Sequence, residues 1–426
     1  MPSFMLIGMV FFIALGAPIA IAILAASIGG ITLFANLPLV VVAQRLMTTI
    51  DSFPLMAIPF FILAGNLMEA GGISKRLVEF AKSLVGGVQG GLAASCVLTC
   101  MIFASVSGSS VATTFAIGAI IIPAMIRHAY PKPFAASLQA TSAELGVIIP
   151  PSIPLILYGV SAEVSIGELF VGGIGPGLLI GAALILFVLV YCRINGWGKD
   201  DHIGRVPLLR ATKEAAWALI MPIIIIGGIY RGVFTPTEAS VVAVFYALFV
   251  GTVVYRAIGW GEFFSVLRRS VIASTIIMFI IAAAGVFSFL LTRAGVPMAI
   301  SAWITSIVDN PAMFLLAVNV FLFVVGMFIE TSAAIIVLAP ILVPVAIAYG
   351  VDPVHFGLIM VVNLALGMIT PPFGVNLFAA CQVAQVPLER IIRHLVPFVL
   401  VIVTCLMIIT YVPDLTLFFR NLAFGR

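Results

Sequence analysis

Gly146-Val147-Ile148-Ile149-Pro150-Pro151-Ser152 and Gly367-Met368-Ile369-Thr370-Pro371-Pro372 are one motif written twice. The two proline pairs lie 221 residues apart (371 − 150). The same offset carries Pro123 onto Pro344, Gly146 onto Gly367, and Ser109-Ser110 onto Glu330-Thr331, with no gap needed between residues 105 and 155. Both copies sit inside apolar segments. A tandem repeat whose copies both interrupt a membrane helix points to the binding site of a transporter. Lipid offers no hydrogen bond to a freed backbone group. Such breaks therefore persist at membrane depth only inside protein or against a polar cavity.

The rest of the chain has the composition of a membrane protein. Apolar residues make up 63% and charged residues 8%, and mean hydropathy is +1.29. Soluble domains carry roughly 25% charged residues. At about 20 apolar residues per span, an all-α polytopic protein with about ten spans plus shorter pieces is expected, with the lipid bilayer as its surroundings. The net charge of +4 does not mark a nucleic-acid binder, because the basic residues sit in loops and form no aromatic-interleaved patch. Residues 4–27 lack a basic leader and are too long for a signal core, so they read as a retained helix. Cys96, Cys100, Cys192, Cys381 and Cys405 form no CxxC pair and read as buried free thiols. His128, His202, His355 and His394 lack metal-ligand spacing, and no cofactor is expected.

Two halves follow, 1–194 and 214–426, joined by a polar linker at 195–213. The first half predicts helices near 4–28, 38–50 and 54–70 and an amphipathic piece near 74–86. A broken pair comes next (92–106 and 110–127), then a span at 133–160 broken at Pro150-Pro151, and a span near 168–192. The second half predicts 214–230, 237–255 and 271–292 and an amphipathic piece near 296–308. It continues with a broken pair (312–328 and 331–348), a span at 354–385 broken at Pro371-Pro372, and a last span near 395–413. The loops flanking the first pair carry Lys75, Arg76, Lys82, Arg127 and Lys132. Those flanking the second carry Asp309 and Asp352 and no Lys or Arg. Positive residues stay in the cytoplasm. The first hairpin (about 92–127) is therefore expected to enter from the cytoplasm and the second (about 312–348) from the periplasm. The linker then lies inside, and Arg231, Arg293, Arg420 and Arg426 run against the bias. On this reading the halves are inverted repeats with both termini outside.

Each broken pair, about 35 residues long, is too short for two spans of about 20 residues each and reads as a re-entrant helical hairpin. The first tip holds Ser105, Ser107, Gly108, Ser109 and Ser110, followed by Thr113 and Thr114. The second runs from Gly326 through Glu330 and Thr331 to Ser332. A helix that ends at proline leaves carbonyls carrying partial negative charge, and hydroxyls add oxygen ligands. The candidate Na⁺ ligands are Ser105, Ser107, Ser109, Ser110, Gly146, Ile149 and Pro150 in the first copy. Gly326, Glu330, Thr331, Ser332, Gly367, Thr370 and Pro371 are their counterparts in the second. Restarting half-helices offer N–H groups to an anion. The candidate substrate contacts are Ser109, Ser110, Thr113, Ser152, Thr331, Ser332 and Asn376. Two cation sites around one anion site describe a Na⁺-coupled carrier of organic anions.

Plainer readings compete with these. A lone Ser or Thr in an apolar helix commonly bonds back to the preceding turn, and a proline pair can simply kink a span. Duplication at one offset favours function over both. Acids in or near spans are functional by default, which singles out Glu144 and Glu330. Glu238 follows Thr235-Pro236-Thr237 and reads as a helix-start cap. The GGIGPG run at 172–177 follows no strand and reads as close packing at a helix start. An intramembrane hydrolase using Ser107 or Ser109 lacks a GxSxG elbow and a midspan base.

Further stretches carry a family resemblance. They are Ala57-Ile58-Pro59-Phe60-Phe61-Ile62-Leu63-Ala64-Gly65 with Gly71-Gly72-Ile73-Ser74, Ser107-Gly108-Ser109, Ile149-Pro150-Pro151-Ser152-Ile153-Pro154, Phe234-Thr235-Pro236-Thr237-Glu238-Ala239, and Gly367 to Pro372. With these the chain resembles, end to end, the large membrane subunit of the tripartite ATP-independent periplasmic (TRAP) transporters. The resemblance implies an elevator-type, Na⁺-driven importer in a bacterial inner membrane. It implies two partners, a small membrane subunit and a soluble periplasmic substrate-binding protein. It also implies that hairpins and broken helices form the moving domain, with Na⁺ held at 105–110 with 146–150 and at 326–332 with 367–371. C4-dicarboxylates, sialic acids and sugar acids all fit as substrates. The alternative is a stand-alone Na⁺- or H⁺-coupled carboxylate carrier or antiporter of the same inverted-repeat superfamily.

Overall fold

Prolines, glycines and capping side chains cut the apolar chain into helices at defined points. The computed structural model describes residues 1–35, 37–199, 207–308, 310–372 and 374–425. His202, Asp309 and Arg426, named above, and linker residues 200–206 lie outside the described residues. The first part holds α1 (Pro2–Ala14), α2 (Ile19–Phe34), α3 (Val40–Ile50), α4 (Ala57–Ala70) and α5 (Ile73–Val85). It continues with α6 (Gly91–Ser107), α7 (Ser110–Arg127), α8 (Lys132–Ala143), α9 (Leu145–Ile148), α10 (Ile153–Ser161) and α11 (Ile166–Asn195). The second part holds α12 (Leu208–Tyr230), α13 (Pro236–Phe249), α14 (Trp260–Arg293), α15 (Val296–Ile307) and α16 (Pro311–Gly326). It ends with α17 (Thr331–Ala348), α18 (Pro353–Met368), α19 (Val375–Ala384), α20 (Leu388–Tyr411) and α21 (Pro413–Phe424). Among the described residues, eight helices are long and apolar enough to cross a membrane, or nine if α8 to α10, bent by 42° at the first proline pair, count as one span.

The 221-residue offset reappears in the helices. It lays α7 on α17 residue for residue, and α8 to α11 on α18 to α20 within a few residues. Packing repeats as well. α7 packs on α19 and α17 on α10, while α2 packs on α14 and α13 on α4. Each pairing recurs with the two copies exchanged. Both Pro150-Pro151 and Pro371-Pro372 peptide bonds are cis.

Three expectations need correction. The first apolar stretch is two helices rather than one span over 4–28. Gly16, with φ at +83°, and Pro18 stop α1 and restart the chain as α2, which folds back on it. The expected span near 271–292 begins eleven residues earlier, because α14 continues past its apolar part behind an exposed Glu262–Arg269 pair at 3.1 Å. Pro413, read as the end of the last span, instead opens α21 from the first helical turn, where a missing N–H costs nothing. Other plain readings hold. Glu238 and Thr235 form a capping box at the start of α13. The GGIGPG run lies within the first turns of α11, where an added Cβ at Gly175 would overlap the Leu415 carbonyl. All five cysteines are free, with Cys381 only partly buried.

Arg420 ran against the charge bias, and the fold explains how it is accommodated. Its Nη1 donates to Asp352 Oδ2 at 2.6 Å and lies 3.9 Å from Glu168 Oε2. It is a buried, neutralised cation that ties α21 to the starts of α18 and α11. Burial pushes the Asp352 carboxyl up. The hydrogen bond from Arg420 and those from the His355 and Val354 amides outweigh this and hold the carboxyl below its ordinary value. A carboxylate depressed in the fold stabilises above its unfolded pKa and loses that contribution as pH falls through the folded one. Asp352→Asn should therefore lower the melting temperature of the purified protein at neutral pH. The gap to wild type should close as pH drops below about 4, the ordinary Asp range. A gap that stays constant across that range would show that the ion pair contributes nothing.

Candidate functional site

Each hairpin tip meets the break of its own copy. At the first tip, α6 ends at Gly108, with φ at +63°, and Ser109 caps α7 by accepting from the Ala112 amide at 3.4 Å. The tip is clamped to the break on two sides. The Gly108 carbonyl accepts from the Ile153 amide at 3.4 Å, and a Cβ on Gly146 would sit 2.8 Å from the Ser109 carbonyl oxygen and 2.9 Å from Thr113 Oγ1. Hydroxyl protons here point inward. Thr113 donates to the Ser109 carbonyl at 2.7 Å. Its oxygen therefore accepts from Ser107 at 3.0 Å. The second tip repeats the cap one offset later, where Glu330 Oε2 accepts from the Ala333 amide at 3.2 Å and Oε1 from Ser332 Oγ at 2.9 Å. Gly326 and Gly367 touch backbone to backbone, and a Cβ on Gly367 would overlap the Gly326 backbone. Thr331 Oγ1 reaches Met368 Sδ at 2.9 Å.

Residues of both candidate cation sets thus come together in pairs. Ser105 and Thr370 use their hydroxyls on their own helices, bonding the Ile102 and Leu366 carbonyls. Ser110 and Pro150 are buried, and Ile149 and Pro371 half-buried, at the breaks. Among the candidate substrate contacts, Ser152 is fully buried and serves the break itself, donating to the Val147 carbonyl and capping α10. Asn376 is fully buried and bridges the copies. Its Nδ2 donates to Glu144 Oε1 at 2.6 Å, and its Oδ1 accepts from Thr114 at 2.7 Å. Glu144 Oε2, also buried, has no hydrogen bond of normal length, with Ser110 beside the carboxylate.

Two polar residues on α4 went unnoticed in the sequence, Asn66 and Glu69. They line a cavity of about 150 Å³ together with Ser107 and Ser109 of the first tip and Ala273 and Ile277 of α14. A polar pair at i, i+3 in an apolar helix was the available signal. That signal is weak, because α4 is unbroken and carries no motif repeated at the 221-residue offset.

These features define a multi-pass helical membrane protein whose interrupted helices face one another in two matched pairs. The chain belongs to the family described as the DctM component of the tripartite ATP-independent periplasmic transporters, which it matches over residues 6–415. It is the large permease subunit of a secondary transporter. It is 44% identical over 96% of its length to the isethionate TRAP transporter permease protein DctMQ of Oleidesulfovibrio alaskensis, of which it spans 65%. It is 42% identical to the C4-dicarboxylate large permease protein DctM of Pseudomonas aeruginosa, over 89% of both chains. Identity is 36% to the sialic acid large permease protein SiaM of Vibrio cholerae, over 96% of both. The fold is similar to that of the Alcanivorax borkumensis YdaH transporter, with a TM-score of 0.65 over 87% of this chain and 88% of that one at 14% identity. The relatives are named as permeases, in keeping with a carrier rather than an enzyme.

The contact between Gly326 and Gly367 leaves no room for a side chain, and its neighbours are backbone atoms that cannot swing away. Gly367→Val should abolish substrate uptake while the protein still inserts and accumulates in the membrane. Normal uptake by this variant would remove the second break from the site.

Proposed function

We propose that the chain imports a small organic anion into a bacterial cell, driven by Na⁺, from the inner membrane. In this reading it works with a small membrane subunit and with a periplasmic binding protein that delivers the anion. The observation that carries the reading is the pairing of each hydroxyl-bearing hairpin tip with a proline-broken helix. Broken backbone and directed hydroxyl oxygens are hard ligands suited to Na⁺, and the start of α7, capped by the neutral Ser109, favours an anion nearby. Two copies with opposite membrane entry give two cation sites around one substrate site, carried together as a moving elevator domain. Relatives are named for isethionate, C4-dicarboxylates, 2,3-diketo-L-gulonate and sialic acid. All are acids, so an anionic group is the shared demand. The DctMQ name covers a protein longer than this chain, which supports a small-subunit partner. Family membership favours this tripartite arrangement over a stand-alone carrier.

Glu330 shapes the coupling. It is an acid at the second tip, already committed to capping α17 through Oε2. Its charge attracts Na⁺ and repels the anion until Na⁺ arrives.

Proteoliposomes holding both membrane subunits, supplied with the binding protein, should take up the anion with a Na⁺ gradient and without ATP. Undiminished uptake with K⁺ in place of Na⁺ and no pH gradient would sink the proposal. Glu330→Gln should raise the Na⁺ concentration for half-maximal uptake about tenfold, the effect of losing a charge-assisted contact. Apparent substrate affinity at saturating Na⁺ should change much less. An unaltered Na⁺ dependence would reduce Glu330 to a helix cap.

A further inference from the structure

The cavity between the first tip and helices α4 and α14 has a chemistry of its own. Gly65 lets the tip come close, since a Cβ there would lie 3.2 Å from Ser107 Cα. One residue on, Asn66 Nδ2 donates to Ser270 Oγ at 2.8 Å. The single Ser270 hydroxyl proton goes to the Val266 carbonyl at 2.8 Å. Ser270 can therefore only accept, and the Asn66 amide is fixed with its nitrogen toward α14. That leaves one amide N–H and the amide oxygen of Asn66 for a ligand. Across the cavity, Ser109 Oγ accepts from the Ala112 amide, so its proton is available to an anion. The nearby Ser107 proton is taken up within the tip, between Thr113 Oγ1 at 3.0 Å and the Ser109 carbonyl at 3.3 Å. Glu69 stands in the same wall as Asn66, one helical turn away.

We propose that this cavity binds the substrate, with Asn66 as its contact on α4, and that it selects a short acid with one charged group. The proposal rests on the anion-carrier reading above. The anionic group takes the Ser109 hydroxyl and the free Asn66 N–H. The Asn66 oxygen and Glu69 then favour a neutral, hydrogen-bonding tail such as a hydroxyl, whereas a second carboxylate would abut Glu69. Size adds to this. The cavity, about 150 Å³, is smaller than the ~300 Å³ at which drug-sized sites begin. A cavity of this size favours a two- to four-carbon acid over a nine-carbon sialic acid.

Binding to the purified permease in lipid nanodiscs tests this without the selectivity of the binding protein. Isethionate, succinate and N-acetylneuraminate are titrated at saturating Na⁺, and Na⁺ is titrated alone, with thermal stabilisation as the readout. Isethionate should bind most tightly and N-acetylneuraminate should not stabilise. Asn66→Ala should weaken isethionate about tenfold, as expected for a lost hydrogen bond to a charged group, and leave stabilisation by Na⁺ alone intact. Ala273→Leu fills the cavity from α14 without touching a polar group and should abolish isethionate binding. Glu69→Gln should narrow the preference for isethionate over succinate. Equal binding of N-acetylneuraminate and isethionate overturns the proposal, as does unchanged isethionate affinity in Asn66→Ala and Ala273→Leu. If isethionate binds as expected but Na⁺ alone stabilises nothing, the cavity stands and Na⁺ coupling falls.

Discussion

Backbone that leaves a helix inside a membrane must find its hydrogen bonds in protein. This constraint organises the molecule. Two helices are interrupted at proline pairs, and each interruption is covered by a hairpin tip close enough that only glycine fits at Gly146 and Gly367. The tips are interruptions in their own right, closed by the Ser109 and Glu330 caps. Each break thus answers the other. Little of the site could be altered in one element without exposing unsatisfied groups in its partner.

The same arrangement separates two kinds of polar residue. Hydroxyls at 105 and 370 are consumed by their own helices, and that at 152 by the break it sits in. Those at 107, 109 and 113 form a directed set at a tip beside a cavity. Both kinds look alike in sequence. Counting where each single hydroxyl proton goes distinguishes them, and the same count fixes the Asn66 amide.

Much of the architecture was legible in the sequence because its punctuation is strong. The arms at 110–127 and 331–348 were read to the residue, since a glycine or a capping side chain precedes each and a proline or glycine soon follows. The Glu238 cap was equally plain. Weak punctuation misled. Pro18 sits in an apolar run that hides its break, and Pro413 marks a start rather than a stop, since proline opens helices as readily as it ends them. Contacts between distant segments left no local trace. Nothing near Asn376 announces Glu144, and nothing near Arg420 announces Asp352.

The bond between Glu144 and Asn376 spans 232 residues of chain. A ribosome therefore makes the acid long before it makes the amide. Until α19 is in place, the first half holds a carboxyl in its interior without the Asn376 amide that it finally bonds. No ion pair among the described residues takes up that role. The second half lacks the matching dependence, because the offset places Ala365 opposite Glu144 and Leu155 opposite Asn376. The bond that completes this part of the first half's interior is thus supplied by a residue translated much later.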